Sequence, residues 1–405
     1  MIYFDHNATS PLLPQARQAW VEANKQYIGN PSSPHRLGQR ADAALTAARE
    51  QLARVIGCDA QDLVWTSGAT ESSNLALHHF AQTLASDAEV WVSAIEHPCV
   101  RAPIRHYFSK RHRLIPVGHA GVVELGWLAA ELRRRRAGLV AVMAANNETG
   151  VVQPWREALA LCREHGVPFF CDAVQWVGKL PARGLGDCDF VSGTAHKFGG
   201  PKGVGFLKCP AKGRVAPLLL GGPQEDGRRA GTENVAGILS MMTALEVREH
   251  ELAAAAAEDG GSTNENGASF HSSSSSVSPA AVRLRLAWRE QFERGLLAAL
   301  PGAGLVGASQ PRLWNTVSAF MPVADCQQRW VVKLDKLGFA VSTGSACSSG
   351  REVPSQVLSA MGYAPAEAGR VLRFSSGWET PEADWDALLA AVKRVHRGES
   401  RRSAP

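Results

Sequence analysis

Between about residues 40 and 240, short continuous apolar runs alternate with longer stretches whose apolar positions recur every three or four residues. Asp42–Ile56, Glu71–Leu84 and Trp155–His165 have the second pattern, that of a helix burying one face. Leu63–Thr66, Val90–Ala94, Leu139–Ala144, Pro168–Cys171 and Phe190–Gly193 have the first. Short apolar runs without polar alternation fit strands covered on both faces. The order predicts an α/β fold, a largely parallel sheet with helices on both sides.

The pattern then breaks. Ala253–Ala280 is rich in Ala, Gly and Ser and nearly free of large apolar residues. Such a segment buries too little surface to offset its chain entropy, so a flexible surface insertion is expected. After it come a long helical pattern, Val282–Leu300, and strand-like pieces at Asn315–Met321 and Val371–Ser375. A helical pattern over Pro381–Val395 precedes a polar tail, residues 399–405. The expected division is a large domain over 15–252, an insertion over 253–280, and a smaller α+β domain built from 1–14 and 281–398.

Composition narrows the class. The chain has 405 residues, 45% hydrophobic and 20% charged, with a net charge of +5. That is ordinary globular usage and room for two or three domains. The densest basic run, Arg133 to Arg136, has no interleaved aromatics to stack on bases. It reads as a solvated helix end, and no nucleic-acid partner is expected. None of the eight cysteines forms a CxxC pair, so no metal site is expected from them. The start MIYFDHNATSP lacks a cationic segment followed by an apolar core, and no run approaches a membrane span. A soluble protein of a reducing cytoplasm, with no membrane partner, is the expectation.

Several positions combine reactive side chains with strand ends. Ser192-Gly-Thr-Ala-His-Lys197 puts a lysine just past an apolar strand. Lysine is rarely buried unless paired or reacting, and it forms Schiff bases with carbonyls; a surface lysine is the other reading. Asp172 follows the strand Pro168–Cys171. It could cap a helix, ligate a ribose or metal, or hold a pyridinium proton. Thr66-Ser-Gly-Ala-Thr-Glu71 is a strand, a small-residue turn and a helix start, which makes either a plain cap or a phosphate cradle. His97, after Val90–Ala94, is structural or a ring that stacks on a ligand. Cys347 stands among Gly and Ser in Ser342-Thr-Gly-Ser-Ala-Cys-Ser-Ser-Gly350, a poor setting for core packing. Arg373 interrupts the apolar run Val371–Ser375, where an arginine needs a carboxylate or phosphate to grip.

In this order the motifs resemble the cysteine desulfurases of the class V aminotransferase-like, fold type I pyridoxal-phosphate enzymes. The resemblance runs from Asp5-His-Asn-Ala-Thr-Ser-Pro11 and Gly29-Asn-Pro-Ser-Ser33 through Asn146-Asn-Glu-Thr-Gly150, Asp172–Gln175, His196-Lys197 and Arg229-Ala-Gly-Thr-Glu-Asn234 to Gly344-Ser-Ala-Cys347 and Arg373-Phe-Ser375. It implies a seven-stranded, mostly parallel sheet and pyridoxal 5'-phosphate on Lys197. It matches Asp172 to the pyridinium partner, Gln175 to the donor at the ring's phenolic oxygen, and His97 to a stacking and proton-transfer residue. Ala69, Thr70, Thr194 and His196 match the phosphate side. Thr232 matches a phosphate ligand supplied by a neighbouring subunit, which implies a homodimer. Asn147, Arg373 and Asn7 match groups near the substrate carboxylate, and Cys347 the cysteine that becomes a persulfide. The implied activity converts L-cysteine to L-alanine and passes sulfur to an acceptor protein, an iron–sulfur scaffold being one such acceptor. A selenocysteine lyase and a class V transaminase are the alternatives. His6 departs from the family, where asparagine or tyrosine is frequent, and Thr194 replaces a frequent serine.

Overall fold

The computed structural model describes residues 1–211, 215–257, 280–322, 327–344 and 355–398. Its strands are β1 (Ile2–Tyr3), β2 (Leu63–Thr66), β3 (Val90–Ser93), β4 (His112–Ile115), β5 (Leu139–Ala141), β6 (Phe169–Asp172), β7 (Phe190–Thr194), β8 (Gly205–Lys208), β9 (Gly304–Leu305), β10 (Thr316–Phe320), β11 (Phe339–Ala340) and β12 (Val371–Ser375). The helices are α1 (Pro14–Gln26), α2 (Arg36–Ile56), α3 (Ala69–Thr83), α4 (Pro98–Tyr107), α5 (Leu125–Arg134), α6 (Trp155–Glu164), α7 (Val235–Ala257), α8 (Ala280–Ala299), α9 (Gln327–Lys336), α10 (Gln356–Ala360), α11 (Pro365–Ala368) and α12 (Glu382–His396).

Seven strands form one sheet in the order β2-β8-β7-β6-β5-β3-β4. Every neighbouring pair is parallel except those made by β8. Strands β2, β3, β5, β6, β7 and β8 are buried at every position, so both faces need covering, and helices do it. Helix α2 shows how. Ala41, Leu45, Ala48, Leu52 and Ile56 recur at spacings of three and four and are all buried. His35 Nδ1 accepts from Gly38 N at 3.2 Å to cap its start, and Gly57, at φ 79°, ends it. Each such leucine, fully buried, stabilises the fold by about 1.5–3 kcal/mol.

The expected α/β architecture is therefore present, with differences at particular elements. Strand β4 was not foreseen: it is an edge strand, only part-buried, and its His-Arg-Leu-Ile sequence carries no apolar run. Strand β8 is short and follows a glycine-rich loop, so no apolar run announced it. Helix α7 continues to Ala257, past the start expected for the insertion at Ala253. Alanine is the best helix former, and five in a row extend a helix already begun. Residues 258–279 of the insertion and the tail from 399 lie outside the described residues. Arg133 to Arg136 are exposed at and beyond the end of α5, as expected.

A second, antiparallel sheet, β12-β10-β9, packs against α8, α9 and α12 through Phe292, Leu296, Val317, Trp330, Phe374, Trp385 and Leu388. The N-terminal chain ties the two parts together. Strand β1 pairs in parallel with β11, and Asn7 N donates to Ser375 Oγ at 3.0 Å. A few residues on, Ser10 N donates to His196 O at 2.7 Å and Leu13 N to Gly199 O at 2.9 Å. Asn7 is thereby held across the carboxyl ends of β6 and β7. Among the described residues no helix is long and apolar enough to cross a membrane.

Candidate active site

Parallel α/β sheets place ligands outside the carboxyl ends of their strands. A cleft of about 580 Å³ lies there, lined from several strand ends at once. From the end of β6 come Asp172 and, just beyond it, Gln175. Beyond β7 come Thr194, His196 and Lys197. His97 follows β3, and Ala69 and Thr70 open α3 after β2. Asn147 comes from the loop after β5, Asn7 from the N-terminal segment and Arg373 from β12. Eleven sequence-derived candidates thus converge on one space. Thr232 does not line it and is exposed. Cys347 lies outside the described residues.

Lys197 Nζ donates to the backbone oxygens of Asn7 and Ala8, at 2.6 and 2.8 Å. Asp172 is buried; its Oδ1 accepts from Val174 N at 3.0 Å and Ser192 Oγ at 3.3 Å. Among the described residues, its Oδ2 accepts from the weakly donating thiol of Cys99, at 3.9 Å. Burial pushes the Asp172 carboxyl up, and His97 and Lys197 pull it back. Burial likewise lowers His97, which Asp172 opposes. His97 Nδ1 also accepts from Cys99 N at 3.2 Å, so this histidine both caps α4 and faces the cleft. His196 lies 3.1 Å from Thr9 Oγ1 and is lowered to about 4 by burial, with Lys197 and Lys202 adding. The His196 ring is therefore neutral over the physiological range.

The start of α3 has no side-chain cap. Its N-cap, Gly68, has φ 151° and ψ 176°, a region essentially reserved for glycine. The first N–H groups of the helix thus face the cleft unpaired by the helix itself, beside Thr70, with the positive end of its dipole. That is a fitted anion site. Thr194 Oγ1, in contrast, donates to Val204 O at 3.1 Å and props the loop beside it.

Arg373 is buried at the opposite end. It donates to Asn147 O at 2.9 Å, to Gly344 O at 3.3 Å and to Asp5 Oδ1 at 2.6 Å. Its Nε is buried without a partner among the described residues. A buried donor left open costs roughly 1–3 kcal/mol, which an arriving anion would recover. The site therefore brings an anion cradle, an arginine, a lysine and a buried carboxylate into one cleft. A pyridoxal phosphate with an amino-acid substrate fits that donor set.

The sequence did not single out Asp5, Cys99 or Lys179. Asp5 meets Arg373 across 368 positions, a distance no local pattern reveals. Cys99 is one more apolar-looking residue in a helix. Lys179 sits four residues after Gln175 in an apolar stretch; its lysine in such company was the available signal.

A family model for aminotransferase class V matches residues 2–266. A cysteine desulfurase of Klebsiella pneumoniae is 36% identical over 398 residues, covering 97% of this chain and 92% of its own. One from Cereibacter sphaeroides is 37% identical over 401 residues, covering 97% and 95%. Among solved structures, a NifS-like protein superposes with a TM-score of 0.82 at 28% identity, covering 98% of this chain and 99% of its own. SspA, solved in complex with cysteine, gives 0.72 at 26%, covering 93% and 98%.

Proposed function

From the premise that this chain belongs to the cysteine desulfurases of the class V aminotransferase family, we propose that it converts L-cysteine to L-alanine and takes the sulfur onto Cys347. The enzyme is a pyridoxal-phosphate enzyme, as its family is. The observation that carries the reading is the convergence of Lys197 and Asp172, from the ends of two adjacent parallel strands, on a cleft with an uncapped helix start.

When bound, the cofactor supplies an electron sink that acidifies the substrate's Cα–H. The chain's own groups do the rest. Lys197 Nζ would hold the cofactor and, when free, would take the substrate's Cα proton. Asp172 would hold a proton on the ring nitrogen, its buried carboxylate serving as the acceptor. Gln175 would donate to the phenolic oxygen, His97 would stack on the ring and relay protons, and the α3 start with Thr70 and His196 would hold the phosphate, with Thr194 lining the same cleft while its hydroxyl donates to Val204 O. Arg373, Asn147 and Asn7 hold the substrate carboxylate. Cys347 sits three residues beyond Gly344, which lines the cleft, and three extended residues span at most about 10–11 Å. As a thiolate, Cys347 attacks the substrate sulfur. An S–S bond forms, the C–S bond breaks with its electron pair left on carbon, and protonation there gives alanine.

A homodimer supports this site. Thr232, exposed and not lining its own cleft, is read as completing the phosphate site of a second copy, and exposed Trp20, Val21 and Ile28 along and just after α1 suit burial in such an interface. The six described cysteines are all free, in keeping with a reducing cytoplasm. An acceptor protein, in iron–sulfur assembly or another pathway, then removes the sulfur. Incubating purified protein with L-cysteine should give alanine and protein-bound sulfur in equal amounts in the first turnover. Alanine with no protein-bound sulfur contradicts the reading.

A further inference from the structure

We infer that Lys179 is a positioning residue: it locks the side-chain amides of Gln175 and Asn7 by their oxygens, leaving one N–H of Gln175 for a ligand and directing those of Asn7 to Thr316 and Asn147. The inference rests on the cofactor-facing roles proposed for Gln175 and Lys197. Lys179 is 3% exposed. Its Nζ donates to Gln175 Oε1 and, at 3.0 Å, to Asn7 Oδ1. Backbone carbonyls only accept, and those of Asn7 and Asn147 face Gln175 Nε2 and Asn7 Nδ2, while Asn315 Nδ2 also donates to Asn7 Oδ1 at 3.1 Å, so the atoms facing Lys179 are the amide oxygens. That settles the orientation of two groups whose O and N ends are otherwise interchangeable in shape.

The consequences reach the reacting lysine in one step. With Oε1 committed, Gln175 Nε2 donates to Asn7 O at 2.9 Å and has a second N–H for a ligand, and Gln175 lines the cleft. Asn7 O is the same atom that accepts from Lys197 Nζ. Asn7 Nδ2 donates to Thr316 Oγ1 at 2.9 Å and to Asn147 O at 3.2 Å, and Asn147 O also accepts from Arg373. One buried amino group thus orders two amides that share acceptors with the reacting groups: Gln175 Nε2 shares Asn7 O with Lys197, and Asn7 Nδ2 shares Asn147 O with Arg373.

Packing does not account for it. Among the described residues no carboxylate lies within ion-pair distance of Lys179, and the charges facing it are Lys197 and Arg373, with His6 nearby. Burial, then those two cations, hold Lys179 well below the ordinary lysine range. A methionine would fill the same space without the cost of burying an amine. It would not supply two donors to two oxygens.

A hydrogen bond from Gln175 to the phenolic oxygen stabilises negative charge, so it lowers the pH at which the Lys197-linked chromophore loses its proton. The test is a spectrophotometric pH titration of the cofactor-loaded protein as wild type, Lys179→Met, Gln175→Ala and the double variant. Lys179→Met should raise the midpoint by about one pH unit, as loss of one such interaction does. The double variant should lie close to Gln175→Ala alone, because both substitutions remove the same contact. An unmoved midpoint, or full additivity, overturns the role. If Lys179→Met does not fold, Lys179→Gln keeps one amide donor and should give a smaller shift in the same direction; no shift overturns the role equally. Wild-type protein without a chromophore on Lys197 overturns the proposed function itself, which keeps the two failures apart.

Discussion

Arg373 is largely committed before any substrate arrives, with Asp5 on one guanidinium nitrogen and two backbone oxygens on another. Only the fork geometry allows it to hold these and still present a donor. Arg373→Lys keeps the charge and loses the fork. Apparent affinity for L-cysteine should fall about 10- to 100-fold, the size of one or two charge-assisted hydrogen bonds, while the cofactor spectrum stays unchanged. Unaltered affinity in a steady-state assay counts against the role. His6 makes a prediction of a different kind. Burial lowers it from 6.5 to about 4, so the folded protein resists a proton that the unfolded chain accepts. Its contribution is fully present above pH 6.5 and is lost as pH falls towards about 4. Denaturant midpoints should therefore drop over that window, and His6→Asn should flatten the drop; equal slopes in both proteins would contradict this. Lys197, Asp172 and Arg373 were legible in the sequence because each is a charged type set against an apolar strand. Lys179 was not, because its partners lie on a turn and on the N-terminal segment, and only the fold brings them together.

The elements were legible where hydrophobic period and length agree, as in α2 and α6 and in β2, β6, β7 and β12. They were not where neither signal exists, as in β4 and β8. Strand β8 nevertheless matters to the site. It runs antiparallel between β2 and β7, and a Cβ at Gly205 would lie 2.5 Å from Gly193 O and 2.6 Å from Gly68 Cα. Only glycine lets β8 pass beneath the turn that begins α3. Gly205→Ala must push that turn outward, so it should cost about 1–3 kcal/mol of stability, as overpacking does. It should also loosen the cofactor, read as faster loss of the visible band on dialysis. A variant that keeps wild-type stability and retention would show the turn to be less constrained than this packing requires.

At the scale of the whole molecule, the sequence indicated the α/β sheet and the antiparallel second sheet through their order along the chain. It could not indicate that residues 2–7 would bridge them, since that depends on pairing β1 with β11. A second copy is the larger structural claim. If the threonine serves the other subunit's phosphate, as proposed, Thr232→Ala should leave a dimer by light scattering yet weaken cofactor retention; a monomeric wild type would refute the arrangement. The central claim is the transfer of sulfur to Cys347, and one paired measurement tests it most directly. A free thiol with a pKa of about 8.5 is only a few per cent thiolate at neutral pH, so the proposed transfer requires that Cys347 be activated. Wild type and Cys347→Ser, both cofactor-loaded, are mixed with L-cysteine; alanine is quantified and the peptides are weighed. The account predicts that wild type forms alanine and gains one sulfur atom's mass on the Cys347 peptide, whereas the serine variant binds L-cysteine and forms almost no alanine. Full alanine production by Cys347→Ser, or the added sulfur on Cys99 or Cys326 instead, would contradict it.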